Sequence, residues 1–355
     1  MRPTMLAPRS LRKAAVPPAL LSDPTPGSLQ PTRLAVHLNG AGSSCSAYLA
    51  SGCRVYKIEI SMDGAMLSKG KESLLIPDNS QVINSSVVDR CPHRSEIQSV
   101  ALAEGEGDNC LILGTVDSYG HLIVSRLDIM ADDIDRTSYS VPPRDCGVGE
   151  GSWAGICFSP TQRSMVAVAR QLCKSIDIYD QDIHVRSLRA LWYPSSFSFV
   201  QCSPQVNESN SLLAIAEGSQ LSIWDLRMNN NGGCVQRISG SIGDIIYSVC
   251  SSPSGPIAVG GTDRAVTIYD PRSFFLVCRW SALSRWVGCS KYEITGLSFS
   301  SVDQSFIYVQ GVDYEVGKVL NVIARNSMMI SSFIYVDFSI RHCCIIEAFI
   351  KSFCT

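Results

Sequence analysis

Alternating apolar and polar positions recur along this chain and predict β-strands. In residues 221–224 and 265–269 the apolar side chains alternate with period two, as in a strand that buries one face. Four longer segments, residues 97–128, 153–180, 199–227 and 247–272, repeat one order of features. Each begins with an apolar strand, turns at Ser-Pro or glycine, continues as a strand of small residues, and ends after a tight turn in a third strand.

The repeats have a regular length. The aspartates that close them, Asp128, Asp180, Asp225 and Asp270, lie 52, 45 and 45 residues apart, close to the ~40–45 residues of one four-stranded propeller blade. Weaker copies follow the same order at residues 47–60 and 294–313. A single sheet of this size has two apolar faces, so it needs neighbouring sheets to bury both. The sequence therefore predicts an all-β fold of repeated sheets.

These segments resemble the WD-repeat (transducin-like) β-propeller family across residues 33–317. The resemblance implies a propeller of six to seven four-stranded blades, incomplete at the C-terminus if the last blade is replaced. It also implies that His93, Asp117, Trp224 and Asp225 are structural residues, of the kind that form hydrogen bonds across a blade. The Gly-His dipeptide of the family is mostly absent, and Pro92 stands where glycine is usual.

Residues 257–272 resemble the box that WD-repeat substrate receptors of cullin ubiquitin ligases present to the damaged-DNA-binding adaptor protein. By this match Arg272 contacts the adaptor, while Asp263 and Asp270 shape the turn. A planar guanidinium suits directed, charge-assisted hydrogen bonds. The preceding repeat ends in Arg227 and fits the box less well, because Gly-Ser replaces its central aspartate. Ordinary blade structure is the alternative interpretation of the whole segment.

A second candidate surface follows the box. Between residues 271 and 292 there is no acidic residue, and basic residues interleave with aromatic ones. Arg279, Trp280, Arg285 and Trp286 form a candidate patch for a protein partner, since Arg and Trp dominate interface energetics. The alternative is that this segment is an outer strand whose tryptophans pack between blades.

Composition narrows the function classes. The 355 residues carry a formal net charge of −2, which argues against a specific nucleic-acid partner. No apolar run is long enough for a membrane helix, so no membrane partner is expected. The 15 cysteines form no C-x-x-C pair, and phosphate-binding, serine-hydrolase and zinc-protease motifs are absent. We expect no catalytic residues, no metal site, no cofactor and no small-molecule substrate.

The two ends differ from the repeats. Residues 1–33 concentrate prolines and basic side chains, which predicts a disordered leader. Residues 318–355 contain neither glycine nor proline, so they depart from a turn-rich repeat as a divergent tail or as a degenerate final blade. The domain prediction is therefore a leader at 1–33, a propeller at 34–317 and a tail at 318–355.

The function expected from these observations is that of a non-catalytic scaffold, a propeller that docks other proteins within a larger complex. One alternative is a substrate receptor of a cullin-type ligase that acts through Arg272, and a more remote one is an enzyme using the propeller funnel. The expected compartment is the cytoplasm, the nucleus or both. The basic leader leaves an organelle transit peptide as an alternative.

Overall fold

The computed structural model describes most of the repeat region. The described residues are 12–14, 31–39, 44–61, 68–69, 75–76, 78–88, 93–105, 110–128, 134–143, 152–201, 212–228, 230–241, 243–253, 255–271, 276–281, 293–299, 306–311 and 316–320. Within these ranges the chain is all-β and contains no α-helix, which confirms the all-β part of the expected fold class. The same residues include no helix of the length and hydropathy that a membrane span requires.

Six antiparallel sheets follow one another along the chain, and we number them 1 to 6. The first five each have four strands, and three strands of sheet 6 are described. The strands of sheets 1 to 3 are Leu34–Leu38, Ser44–Ser51, Arg54–Ser61 and Val82–Val87; Ile97–Glu104, Cys110–Asp117, Leu122–Asp128 and Ile134–Val141; Ala154–Phe158, Met165–Arg170, Ser175–Asp180 and Ile183–Arg189. Those of sheets 4 to 6 are Pro194–Val200, Leu212–Glu217, Gln220–Asp225 and Cys234–Ser239; Ile246–Ser251, Ile257–Gly261, Ala265–Tyr269 and Leu276–Ser281; Ile294–Phe299, Phe306–Gly311 and Val316–Leu320.

Smaller elements complete the described structure. Two short strand pairs and two 3₁₀ turns lie outside the six sheets. They are Arg12–Lys13 with Asp78–Asn79, Ser68–Lys69 with Leu75–Ile76, Pro31–Arg33 and Asn230–Gly233.

In sheets 1 to 5 the second and third strands are the most deeply buried. In sheet 4, Leu212–Glu217 and Gln220–Asp225 are buried at every position after their first residue. The fourth strand, Cys234–Ser239, is partly exposed throughout. Strands that are covered on both faces consist of nearly continuous apolar residues, because both directions of the side chains lead to neighbouring sheets. Sheets 1, 3 and 4 therefore run from buried middle strands to a solvent-facing outer strand.

Consecutive sheets pack face to face. The first strand of each sheet lies beside the first strand of the next, from sheet 1 through to sheet 6. Among the described residues, five buried apolar clusters each join two consecutive sheets. Ile215 and Leu213 of sheet 4, for example, pack with Ile176 and Ile178 of sheet 3. This arrangement is compatible with a propeller, and it explains how sheets of ~45 residues bury both faces.

A recurring hydrogen bond organises one end of the sheets. In sheets 2 to 5 the hairpin between the second and third strands donates a backbone N–H to the carbonyl of the residue just before the first strand. The four bonds are Ser118 N–H to Glu96 O, Gln171 N–H to Trp153 O, Gly218 N–H to Tyr193 O and Thr262 N–H to Ile245 O, with N···O distances of 2.9, 3.0, 3.3 and 3.0 Å. We call this end of the sheets the loop edge.

Parts of the chain ends differ from the expected boundaries. Arg12–Lys13 pairs in parallel with Asp78–Asn79, and Ala14 is buried against sheet 1, although the leader was expected to be disordered. Burial of the Ala14 side chain against the apolar residues of sheet 1 favours this position for the short segment. At the other end, Val316–Leu320 pairs with Phe306–Gly311, so the sixth sheet extends three residues past position 317. The remaining tail, residues 321–355, lies outside the described residues.

Candidate functional site

Three consecutive large side chains project into solvent at the loop edge. Leu191, Trp192 and Tyr193 connect sheet 3 to sheet 4, and they are 55%, 52% and 50% exposed. Scattered apolar residues are normal on protein surfaces, but a contiguous group that includes Trp and Tyr is typical of an interaction site. We call this group the 191–193 loop.

A buried carboxylate holds the 191–193 loop in place. Glu217 ends the second strand of sheet 4 and has no solvent exposure. Its Oε2 accepts hydrogen bonds from the backbone N–H groups of Leu191 at 2.6 Å and Trp192 at 3.0 Å. Its Oε1 lies 3.8 Å from Nε of Arg237, on the outer strand of the same sheet. The carboxylate therefore satisfies loop amides that would otherwise have no strand partner.

The hairpin beside Glu217 also requires its glycine. Gly218 has φ of +58°, the left-handed region that non-glycine residues rarely adopt. A Cβ on Gly218 would lie 3.3 Å from Cβ of Trp192, closer than ordinary van der Waals contact. The carbonyl of Gly218 accepts from the N–H of Ile246 at 2.8 Å, so this hairpin connects the loop to sheet 5.

The neighbouring sheets add further groups to the same surface. Nζ of Lys174, in the hairpin of sheet 3, lies 4.7 Å from the ring centroid of Tyr193 and donates to the carbonyl of Leu191 at 3.4 Å. Leu172 in that hairpin is exposed, and so is Ile245, which precedes sheet 5. The loop edge thus presents apolar side chains across three consecutive sheets.

The structure places only part of the predicted adaptor box. Asp263 forms the hairpin of sheet 5, where its Oδ1 accepts from the N–H of Ala265 at 3.1 Å. Asp270 follows the third strand and is partly exposed, and Arg272 lies outside the described residues. In the preceding repeat, Arg227 donates through Nε and Nη2 to the two carboxylate oxygens of Asp225, at 3.0 and 2.9 Å. The guanidinium of Arg227 thus pairs with the aspartate two residues earlier, and most of the arginine side chain stays exposed.

The predicted Arg-Trp patch is not assembled by the described residues. Arg279 lies on the outer strand of sheet 5, and its Nη2 donates to Oδ2 of Asp263 at 2.8 Å. A residue of the proposed patch is thereby paired with a residue of the proposed box. Trp280 is on the same strand, whereas Arg285 and Trp286 lie outside the described residues.

Trp224 lies in the core between sheets 3 and 4. It is buried, and its Nε1–H donates to Oγ of Ser222 at 2.9 Å on the same strand. The guanidinium carbon of Arg237 lies 5.4 Å from the ring centroid. The hydrogen bond of Trp224 stays within one strand, whereas the resemblance implied a hydrogen bond that spans the blade.

His93 and Asp117 meet at the loop edge of sheet 2. Nδ1 of His93 lies 3.2 Å from Oδ2 of Asp117, and its Nε2 lies 2.7 Å from Oγ1 of Thr115. These bonds connect the segment before the sheet to its second strand, which is the structural role expected from the resemblance. His121 ends the same hairpin and brings its Nδ1 to 3.8 Å from Oδ2 of Asp117.

The electrostatic environment favours an ionised Asp117 beside a neutral His121. Burial opposes ionisation of Asp117, but hydrogen bonds from His93 and from the N–H groups of His121 and Tyr119 outweigh it and lower the pKa of the carboxyl. Burial lowers the pKa of His121, and the charges of His93 and Arg94 act in the same direction against the attraction of Asp117. The lowered pKa favours an uncharged imidazole of His121 at neutral pH.

No protein-family model matches the chain, and no curated protein matches it. A candidate function therefore has to come from the geometry of the loop edge.

The sequence interpretation missed two features of this edge. It did not single out the 191–193 loop, because the apolar side chains there precede the strand Pro194–Val200 and read as part of it. It also did not single out His121. An aspartate and a histidine four residues apart around a hairpin were the available signal for the second feature.

Proposed function

We propose that the chain is a WD-repeat-like propeller that acts as a non-catalytic scaffold and binds partner proteins at its loop edge. The blade count and the closure of the ring are part of this proposal. Its support is the succession of antiparallel sheets packed face to face, together with the exposed 191–193 loop. The observation that carries it is the anchoring of this loop by Glu217, since a buried carboxylate fixes large apolar groups in solvent.

The 191–193 loop has the energetics of a binding anchor. Large aromatic side chains bury ~150–250 Å² each when fully covered, and Trp192 and Tyr193 leave about half of that area in water. Covering the remainder is worth about 2 kcal/mol per ring at ~25 cal/mol per Å². Because the loop amides are already fixed by hydrogen bonds, little backbone entropy is lost when a partner binds.

Polar groups around these rings favour a protein partner. Lys174 stacks on Tyr193 and leaves a positive charge at the border of the apolar group. A protein interface commonly has an apolar centre with a polar rim, and this arrangement supplies both. The substrate-receptor role through Arg272, and the compartments expected from the sequence, stay predictions.

The test compares two double variants of the full chain. In the first, Trp192→Ser and Tyr193→Ser remove the proposed anchor. In the matched control, Ile183→Ser and Val185→Ser remove two residues that are at least as exposed, on the outer strand of sheet 3. Both variants are first checked for an unchanged far-UV spectrum and melting temperature.

Partners captured from cells are then purified and measured directly against all three proteins. We expect at least one partner to bind wild type and control equally and the anchor variant at least tenfold more weakly. Equal affinities for all three proteins across every captured partner would refute docking at the 191–193 loop.

A further inference from the structure

A cluster of two imidazoles and one carboxylate lies at the loop edge of sheet 2. His93, Asp117 and His121 each direct one donor atom inward, and the three atoms lie within 4.8 Å of one another. His93 and Asp117 are buried and His121 is half-buried. The three residues come from two chain segments, the segment before the sheet and the hairpin between its second and third strands.

We propose that His93, Asp117 and His121 bind a divalent transition-metal ion of the Zn²⁺ type. Two imidazole nitrogens and one carboxylate oxygen are ligands that Zn²⁺ accepts, with water completing a tetrahedron. Imidazole donors favour such ions over Mg²⁺ and Ca²⁺, which prefer oxygen. This site is separate from the docking proposal and does not depend on it.

The carboxylate of Asp117 is oriented for one metal bond. Its Oδ1 accepts backbone hydrogen bonds from Tyr119 and His121, both at 3.0 Å. Its Oδ2 faces the two imidazoles, at 3.2 Å from Nδ1 of His93 and 3.8 Å from Nδ1 of His121. Tetrahedral Zn²⁺ ligands lie about 3.3 Å apart, so the first separation already fits and the second must close by about 0.5 Å.

Metal binding replaces the hydrogen bond between His93 and Asp117 with two coordination bonds. Without metal, Nδ1 of His93 faces Oδ2 of Asp117 at 3.2 Å. In the metal-bound state Nδ1 is the ligand atom, and Nε2–H donates to Oγ1 of Thr115, which lies 2.7 Å away. The Thr115 hydroxyl can accept this bond because it donates to the carbonyl of Ile123 at 3.3 Å.

Both imidazoles are held at the nitrogen that faces away from the cluster. Nε2 of His93 bonds to Thr115, and Nε2 of His121 lies 2.7 Å from Oγ of Ser140 on the outer strand. Metal-bound histidines usually have such a partner, which orients the ring. Because His121 stays 23% exposed in its side chain, an ion and a water ligand can reach the cluster from solvent.

One neighbouring charge opposes the cation. Arg94 is exposed beside the cluster, and its charge contributes to lowering the pKa of His121. Exposed charges are screened by salt, so this repulsion weakens the site without abolishing it. Arg94→Ala should therefore tighten Zn²⁺ binding at low ionic strength.

The experiment uses the full chain without an affinity tag, stripped with chelator and re-equilibrated with Zn²⁺ in 1 mM Mg²⁺. Bound zinc is counted by elemental analysis, and Co²⁺ is used as an absorbing substitute. His121→Ala is the test variant because its side chain is half-buried, whereas His93 and Asp117 also brace the sheet. His184→Ala is the matched control, since His184 lies 3.7 Å from the buried Asp177, and no second imidazole among the described residues groups with that pair.

We expect wild type and His184→Ala to retain one more Zn²⁺ per chain than His121→Ala, and to show a Co²⁺ absorption band that His121→Ala lacks. Zn²⁺ should raise the melting temperature of wild type but not of His121→Ala. Ser140→Ala should weaken Zn²⁺ binding by about tenfold, because the ring of His121 loses its orienting partner. If His121→Ala does not fold, His121→Gln replaces it. Equal zinc content and equal Co²⁺ spectra in wild type and the folded His121 variant would overturn the proposal and leave the cluster as a hydrogen-bonded brace.

Discussion

Glu217 offers the sharpest test of the loop edge, because one buried side chain holds the backbone of an exposed loop. In Glu217→Ala the backbone N–H groups of Leu191 and Trp192 lose their acceptor, because the alanine side chain has no oxygen to replace the carboxylate. Arg237 also loses the opposite charge 3.8 Å from its Nε.

The expected cost follows from these contacts. A hydrogen bond to a charged group contributes ~1.5–3 kcal/mol, and a buried donor left unpaired costs a similar amount. Two such bonds predict that Glu217→Ala lowers the free energy of unfolding by about 3–5 kcal/mol. Glu217→Gln keeps one oxygen acceptor but places an amide N–H₂ near the guanidinium of Arg237. We expect it to lose about half as much.

Urea denaturation followed by circular dichroism measures the total effect, and hydrogen exchange read by mass spectrometry locates it. Exchange should accelerate in the peptide that contains the 191–193 loop more than in the sheet 1 strands. Glu104→Ala is the control, because Glu104 is largely exposed at the end of a strand and should change stability by less than about 0.5 kcal/mol. Equal unfolding midpoints for Glu217→Ala and Glu104→Ala, with unchanged exchange at the loop, would refute the anchoring role.

Three further results are expected from other parts of the fold. Ile215→Ala removes a fully buried side chain between sheets 3 and 4 and should cost ~2–5 kcal/mol in urea denaturation. Arg227→Ala removes a mostly exposed side chain and leaves the backbone N–H of residue 227 as a donor to the buried Asp225, so it should cost less, about 1 kcal/mol. Burial raises the pKa of Cys157 to about 11 and that of Cys250 to about 12, so a disulfide reagent at pH 8 should modify exposed Cys53 well before either of them. In the unfolded chain these thiols ionise near pH 9, so the two buried cysteines favour the folded state below pH 9. At pH 10 each should lower the free energy of unfolding by about 1.4 kcal/mol. A urea midpoint that does not change between pH 8 and 10 would contradict this.

The sheets could be predicted because their signal is local and repeated. Period-two alternation, small residues in the second strand and a closing aspartate occur at nearly constant spacing, as in 212–225 and 257–270. The structure places antiparallel strands at those positions and packs the sheets in chain order. The strand at 316–320 was missed because glycine and proline, which mark turns, become scarce from this point on. The structure nevertheless pairs this strand with Phe306–Gly311 in an antiparallel arrangement.

The 191–193 loop could not be predicted from its own residues. Leu191, Trp192 and Tyr193 are apolar and precede a strand, so local pattern assigns them to the interior. Their exposure depends on Glu217, about 25 residues later, whose carboxylate replaces strand pairing for the loop amides. A glutamate within an otherwise apolar strand was the only local sign of this contact.

The proposed metal site was missed for a related reason. His93 and Asp117 were assigned to a structural hydrogen bond, and their distance of 3.2 Å is consistent with that assignment, but His121 was not singled out. The hairpin has to close before His121 faces the same carboxylate oxygen as His93. The number of residues between Asp117 and His121 does not predict how the hairpin closes, since hairpins of different length occur at the corresponding positions of the other sheets.

At the loop edge, backbone groups hold the fold together and side chains are left for binding. The repeated hydrogen bonds join backbone N–H and C=O groups, so any side chain compatible with the turn can occupy these positions. Sheet 2 uses that freedom for two imidazoles, and the connection into sheet 4 uses it for Trp192 and Tyr193. Truncating Trp192 should therefore alter binding with little change in folding, whereas truncating Glu217 should alter both. A Trp192→Ala variant that unfolded as easily as Glu217→Ala would show that the ring supports the fold, and the argument for a preformed docking surface would fail with it.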